Sequence, residues 1–205
     1  MSSKALMSCL MLLTLWSCQS REDRVKSALR ENLIQYIQHQ HLVTNGSVKI
    51  HECTILDVDT LSEMQFDSTI LLQIRKQRAF YDSMADDRLK TGNLYNHLAY
   101  SYQKSRDTAA FNLAILNATE SHYMAGNFID SSMAFQKADE LMKDALKNAS
   151  DTAIYYRAKT FLRATYFNNR DSTKVHNTFF YHFNSQKTFI DLNGEVERRV
   201  RYEIE

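Results

Sequence analysis

The chain has 205 residues, a formal net charge of +1 and 44% hydrophobic residues. Near-neutrality leaves no electrostatic footprint for nucleic acid, and this apolar content is too high for a disordered chain. There is no proline and there are only four glycines, where average usage would give about ten prolines; this suits long uninterrupted elements and argues against a loop-rich catalytic scaffold.

The first element is an amino-terminal targeting stretch. Lys4 is the only charged residue before Arg21, and the run Ala5 to Trp16 is apolar apart from Ser8, Cys9 and Thr14. At about twelve residues it is short of the roughly twenty that a spanning helix needs, and a basic start followed by a short apolar run marks a secretory signal peptide. It ends in Leu15-Trp16-Ser17-Cys18, which resembles the lipobox of bacterial lipoproteins, with Trp16 standing where a small residue is usual. The resemblance implies cleavage before Cys18, diacylglyceryl transfer to its thiol and acylation (palmitate or a similar chain) of the new amine. Two or more acyl chains make attachment to a bilayer stable, which one does not. An ordinary signal peptide with a chance cysteine, or a buried helix, is the plainer alternative. The tether Gln19-Ser-Arg-Glu-Asp23 resembles the surface-export signal of lipoproteins in one phylum of Gram-negative anaerobes. On this reading Cys9 leaves with the signal, Cys18 carries lipid and Cys53 stays alone as a small buried hydrophobe, so no internal disulfide forms.

Residues 22–42 read as an amphipathic helix with Val25, Leu29, Leu33, Ile37 and Leu42 on one stripe. Asn45-Gly46 reads as a turn. A strand follows from Ser47 to Asp59, with Val48, Ile50, Leu56 and Val58 on the apolar face and Glu52 and Thr54 as its blemishes. From Leu61 to Ala149 the period is helical, in four stripes, the third of them Phe111, Ile115, Ala118 and Tyr123, with Gly92-Asn93 and Gly126-Asn127 as expected helix stops. Those stops lie one tetratricopeptide period apart, yet two degenerate copies are too few for a solenoid; an antiparallel helical hairpin or small bundle is the simpler expectation. After Ser150-Asp151 the period returns to 2. Tyr156, Ala158, Leu162 and Ala164 face one way in one strand, Val175, Asn177, Phe179, Tyr181 and Phe183 in the next, and Lys187 to Leu192 is a short third strand. Turns at 168–171 and 184–186 make this a meander of hairpins. Glu195 to Glu205 reads as a highly charged tail, a frayed strand or helix, with a solvated face expected over a basic patch.

The expected fold class is therefore α+β: a helix packed on a small antiparallel sheet, with a long helical insertion after the first strand. The expected organisation is signal peptide 1–17, lipidated tether 18–24, helix-plus-sheet domain 25–60 and 150–194, helical insertion 61–149 and tail 195–205. The order resembles the cystatin/NTF2-like superfold. With Glu22-Asp-Arg-Val-Lys-Ser27 at the helix start, it also resembles a family of small uncharacterised envelope lipoproteins from the same anaerobes. That family has no assigned activity to carry over. Asp-Ser or Asp-Thr occurs at Asp59, Asp67, Asp82, Asp107, Asp151 and Asp171. These resemble the O-glycosylation signal of envelope proteins in that phylum, and most are expected to be helix caps.

No catalytic constellation emerges. There is no glycine-rich phosphate loop, no nucleophile elbow and no isolated carboxylate pair. His39 and His41 do not share a helix face, and His176 and His182 stand six apart without thiolate or metal-ligand company. No enzyme activity, cofactor or metal is expected. The leading expectation is a membrane-anchored envelope lipoprotein, outer membrane favoured and surface exposure left open, that acts as a protein-interaction module. Its partners would be the bilayer through acylated Cys18 and another envelope protein. A small-ligand site at Tyr156, Phe179 and Tyr181 is the alternative, and an accessory subunit of a secretion or conjugation assembly is a third reading.

Overall fold

The computed structural model describes residues 20–43, 46–152, 154–168 and 171–202. The lipobox, Cys18 and the 169–170 part of the second turn lie outside the described residues, as do Asn45 and the last three residues. In chain order the elements are α1 (Arg21–Val43), β1 (Ser47–Leu61), α2 (Glu63–Ser105), α3 (Thr108–Lys147), β2 (Tyr155–Phe167), β3 (Ser172–Phe183), β4 (Phe189–Ile190) and α4 (Leu192–Tyr202). The fold is α+β, as the alternation of periods predicts, and it divides into two compact units.

The sheet unit runs through Ser62 and resumes over Thr152–Ile190. Its four strands pair antiparallel in the order β1-β2-β3-β4. Ser20 caps α1: its Oγ accepts from the Asp23 amide at 3.1 Å, and the Asp23 carboxylate accepts from the Ser20 amide at 3.3 Å, the reciprocal arrangement of a capping box. Leu29, Leu33 and Ile37, each one turn apart, are buried from α1 against Cys53, Ile55, Ala158, Leu162, Ala164 and Phe183. Burying a leucine of this kind contributes about 2 kcal/mol.

The apolar face of β1 differs from the strict alternation. Register shifts fall between Ile50 and Glu52 and between Ile55 and Asp57. Each inserts one extra residue, His51 and then Leu56, and so moves the inward face by one position. Cys53 and Ile55 are buried while Leu56 is 48% exposed. Glu52 and Thr54 are therefore on the solvent side and are no blemish on the core. β1 is an edge strand, and Arg30 Nε from α1 donates to the Cys53 carbonyl at 2.7 Å, which covers part of that edge. The 184–188 turn closes with the Asn184 amide and carbonyl bonded to Thr188 and Lys187, and with Lys187 at a φ of 65°. The Lys187 carbonyl accepts from Asn32 Nδ2 at 2.8 Å, which holds this left-handed residue against α1.

The helical unit comprises Glu63–Asp151 and the residues from Asp191 onward. It is a hairpin of two helices of 43 and 40 residues, each about 60 Å long. Gly92 and Gly126 do not stop helices; both lie inside them. The break falls instead at Arg106, whose φ is 59°, and at Asp107, whose Oδ1 accepts from the Ala110 amide at 3.0 Å. Among the Asp-Ser/Thr pairs, Asp107 is the helix cap; Asp67 and Asp82 lie within α2 and Asp59 lies within β1.

The expected charged tail is helical as far as Tyr202 and belongs to this unit. Val196 is 2% exposed. Arg199 reaches the buried Asp67 of α2 at 3.1 Å and Glu195 at 2.9 Å. Burial lifts the Asp67 carboxyl above its ordinary range, and the Arg199 charge works against that rise. Periodicity missed that this helix docks, because the docking uses Val196 and the Arg199–Asp67 ion pair, which in sequence look like a solvated face.

Candidate functional site

The hairpin seam is built from small side chains. Ala85, Gly92 and Ala99 recur every seven residues on α2, as do Ala118, Ala125 and Ser132 on α3, and all six are buried. A seven-residue recurrence keeps one seam facing the partner helix along its length. Small residues there let the backbones approach closely. A Cβ at Gly92 would stand 2.8 Å from His122 Nε2, so α3 occupies the space a side chain would need. Larger groups alternate with the small ones: the Tyr81 ring lies 5.5 Å from Phe135 and 6.2 Å from Phe128. Polar ties lock the register. Ser132 donates to Asp82 at 2.5 Å, Arg75 pairs with Asp139 at 2.5 Å, and Lys143 also pairs with Asp139. Burial by itself raises the Asp139 carboxyl, but the hydrogen bonds from Lys143 and Arg75 outweigh it and the net shift is downward.

A seam of alanine, glycine and serine leaves the large apolar side chains outside it. Leu94 and Leu98, four apart on one side of α2, are 58% and 36% exposed. On α3, Leu116 and Tyr123, two turns apart, are 62% and 71% exposed. Leu113 and Met133 are also exposed. Scattered apolar surface is ordinary, whereas a run of it along one rigid element marks an interaction face. Sequence reasoning put Ile115 and Tyr123 on a packing stripe; both are exposed. The seven-residue recurrence of small residues was the signal that could have identified the true seam.

The three sheet residues expected as a ligand or partner face are brought together, on the side of the sheet that α1 covers. Tyr156, Phe179 and Tyr181 are half-buried and pack against the core cluster. Phe179 and Tyr181 lie 6.0 Å apart, and Tyr181 meets Phe189 edge-on at 5.9 Å. Burial pushes the Tyr181 phenol up to about 12, with the neighbouring Tyr166 and Cys53 adding to the rise. Cys53 is buried, and its thiol is likewise pushed up by desolvation.

Among the described residues, no group of three or more His, Cys, Asp or Glu side chains is placed to hold a metal ion, and no helix is long and apolar enough to cross a membrane. Comparison with protein-family models, curated proteins and solved structures returns no match.

Proposed function

We propose that this chain is a membrane-anchored envelope lipoprotein, held by an acylated Cys18, whose helical hairpin is a protein-interaction module for another envelope protein. The observation that carries the interaction reading is the seam: α2 and α3 bury alanine, glycine and serine against each other and leave Leu94, Leu98, Leu113, Leu116 and Tyr123 facing solvent. Exposed leucine and tyrosine on a long, register-locked scaffold fit a partner that offers its own apolar helix, because aromatic and aliphatic anchors supply most of the energy of such contacts. The anchor reading is supported by the resemblance of Leu15-Trp16-Ser17-Cys18 to a lipobox.

The two halves of the proposal are tested separately. In cells, Cys18→Ala is expected to move the protein from the membrane pellet to the soluble fraction, and mass spectrometry of the wild-type amino-terminal peptide is expected to show acyl chains. Membrane retention of the variant without acyl mass on the wild type would overturn the anchor. For the hairpin, a photo-crosslinking residue placed at Leu116 in intact envelopes is expected to capture one envelope protein. Leu113→Glu with Tyr123→Glu, exposed on the same helix as the probe, is expected to abolish that capture while circular dichroism stays unchanged. No crosslinked protein, or capture that the glutamates leave intact, would overturn the interaction reading.

A further inference from the structure

On the sheet face opposite α1, side chains from three adjacent strands converge on a cleft of about 480 Å3, lined by His51, Arg163, Thr165, Lys174 and His176. The register produces this grouping. Arg163 of β2 stands directly opposite His176 of β3, and Thr165 directly opposite Lys174. His51 is the extra residue of the first bulge in β1, and its ring nitrogen lies 3.0 Å from the Oγ1 of buried Thr165. The bulge thus turns an imidazole toward the same polar atom that the two cations flank.

The charge is lopsided. The nearby carboxylate is Glu52, which pairs with Arg163 at 3.5 Å while that side chain stays half exposed. Among the described residues Lys174 has no carboxylate partner. Across the β2–β3 pair no carboxylate stands opposite either cation: Arg163 meets the His176 ring and Lys174 the Thr165 hydroxyl. A planar guanidinium, an ammonium, a hydroxyl and two imidazoles approaching from three strands offer donors in several directions around one point. A tetrahedral oxyanion accepts in several directions, and charge-assisted bonds to phosphate are the strong ones.

We propose that the cleft of His51, Arg163, Thr165, Lys174 and His176 is a phosphate-binding site, which takes the phosphate group of a soluble phosphomonoester or of a lipid headgroup. This site is independent of the hairpin and of the anchor.

The test uses the full-length Cys18→Ala protein, which has no thiol to acylate and needs no detergent, titrated with inorganic phosphate and with glycerol 3-phosphate by calorimetry, and floated with vesicles of phosphatidate in phosphatidylcholine. Saturable binding of the soluble phosphates, or flotation with phosphatidate but not with phosphatidylcholine alone, supports the site; which of the two occurs identifies the source. The ring proton resonances of His51 and His176 are expected to move on saturation while that of exposed His39 stays still. Arg163→Gln with Lys174→Gln is expected to weaken binding at least tenfold, and Lys187→Gln, outside the cleft, is expected to leave it unchanged. No saturable binding in any arm, or binding that moves neither imidazole and survives the double substitution, would overturn the proposal.

Discussion

The two units bury different kinds of side chain. In the sheet unit, Leu29, Leu33, Ile37, Leu162 and Phe183 are large and almost fully enclosed. In the helical unit, large residues are buried at one end only, at Phe66, Ile70, Leu71, Ile74, Met142 and Val196, where α4 joins the hairpin. Along the rest of the pair the buried residues include Ala85, Gly92, Ala99, Ala114, Ala118, Ser121, Ala125 and Ser132. An alanine methyl removes little area from water, less than about 1 kcal/mol apiece. The sheet unit is thus held by transfer of apolar bulk. The far hairpin is held by close backbone approach, dispersion and polar ties such as Asn96 to His122 at 3.3 Å. Leu29, Leu33 and Leu162 point inward in the sheet unit, whereas Leu72, Leu94, Leu98, Leu113 and Leu116 point outward in the helical one. The outward set is therefore a property of the helical pair and does not follow from a shortage of apolar residues.

The largest test of this contrast is Leu33→Ala. Leu33 is fully buried beneath α1, and truncating such a leucine leaves a cavity that destabilises by about 3 kcal/mol. Hydrogen exchange is expected to show faster opening in β1, β2 and β3. The exposed Leu116→Ala on α3 is expected to change exchange by less than about 0.5 kcal/mol. Equal losses from the two substitutions would mean that Leu116 is buried in solution.

What was legible in the sequence follows the same divide. The α1 stripe and the alternation of β2 and β3 could be read because large apolar side chains mark a face. Leu29, Leu33 and Ile37 lie where the 3.6 period puts them, and Ala158, Leu162 and Ala164 where the period of 2 does. In β1 the pattern misled, because two bulges shift the inward face mid-strand and an extra residue leaves no mark on composition. The hairpin could be read as helical, but hydrophobic periodicity passes over its seam, since alanine and glycine carry little hydrophobic signal and Gly92 looks like a stop; only the seven-residue spacing of small residues marks it. The phosphate cleft was present only as the polar half of each alternation. Arg163, Thr165, Lys174 and His176 become neighbours through the β2–β3 register, which periodicity alone does not specify.

The second test uses acid. His182 is 5% exposed, with Arg157 directly opposite on β2. Burial, with Arg157 adding to it, lowers its pKa from 6.5 to about 4. The unfolded chain therefore takes up a proton as pH falls through about 6.5, while the folded chain stays neutral at this position down to about 4. Stability is fully present above that window and declines within it, by roughly 3 kcal/mol in all. In the helical unit, Asp139 is shifted downward, so its contribution is lost only at lower pH than an ordinary aspartate's. Hydrogen exchange between pH 7 and pH 4 is expected to show the sheet unit weakening first. His182→Phe is expected to flatten that dependence, and an unchanged slope in this variant would remove His182 as its cause.

The smallest and sharpest test sets the two mid-helix glycines against each other. Both Gly92 and Gly126 weaken their helices relative to alanine by about 0.5–1 kcal/mol, through backbone freedom alone. Their surroundings are opposite. A Cβ at Gly126 meets nothing within 4 Å, whereas one at Gly92 would stand 2.8 Å from the ring of His122. Gly126→Ala is therefore expected to stabilise the hairpin by about 0.5–1 kcal/mol, seen as a higher thermal midpoint and slower exchange in α3. At Gly92 a larger side chain must push the His122 ring aside and fit between the helices, so Gly92→Leu is expected to destabilise by about 1–3 kcal/mol. If both substitutions stabilise, the helices do not approach closely at Gly92, and the small-residue seam that turns the leucines outward is not what holds the pair together.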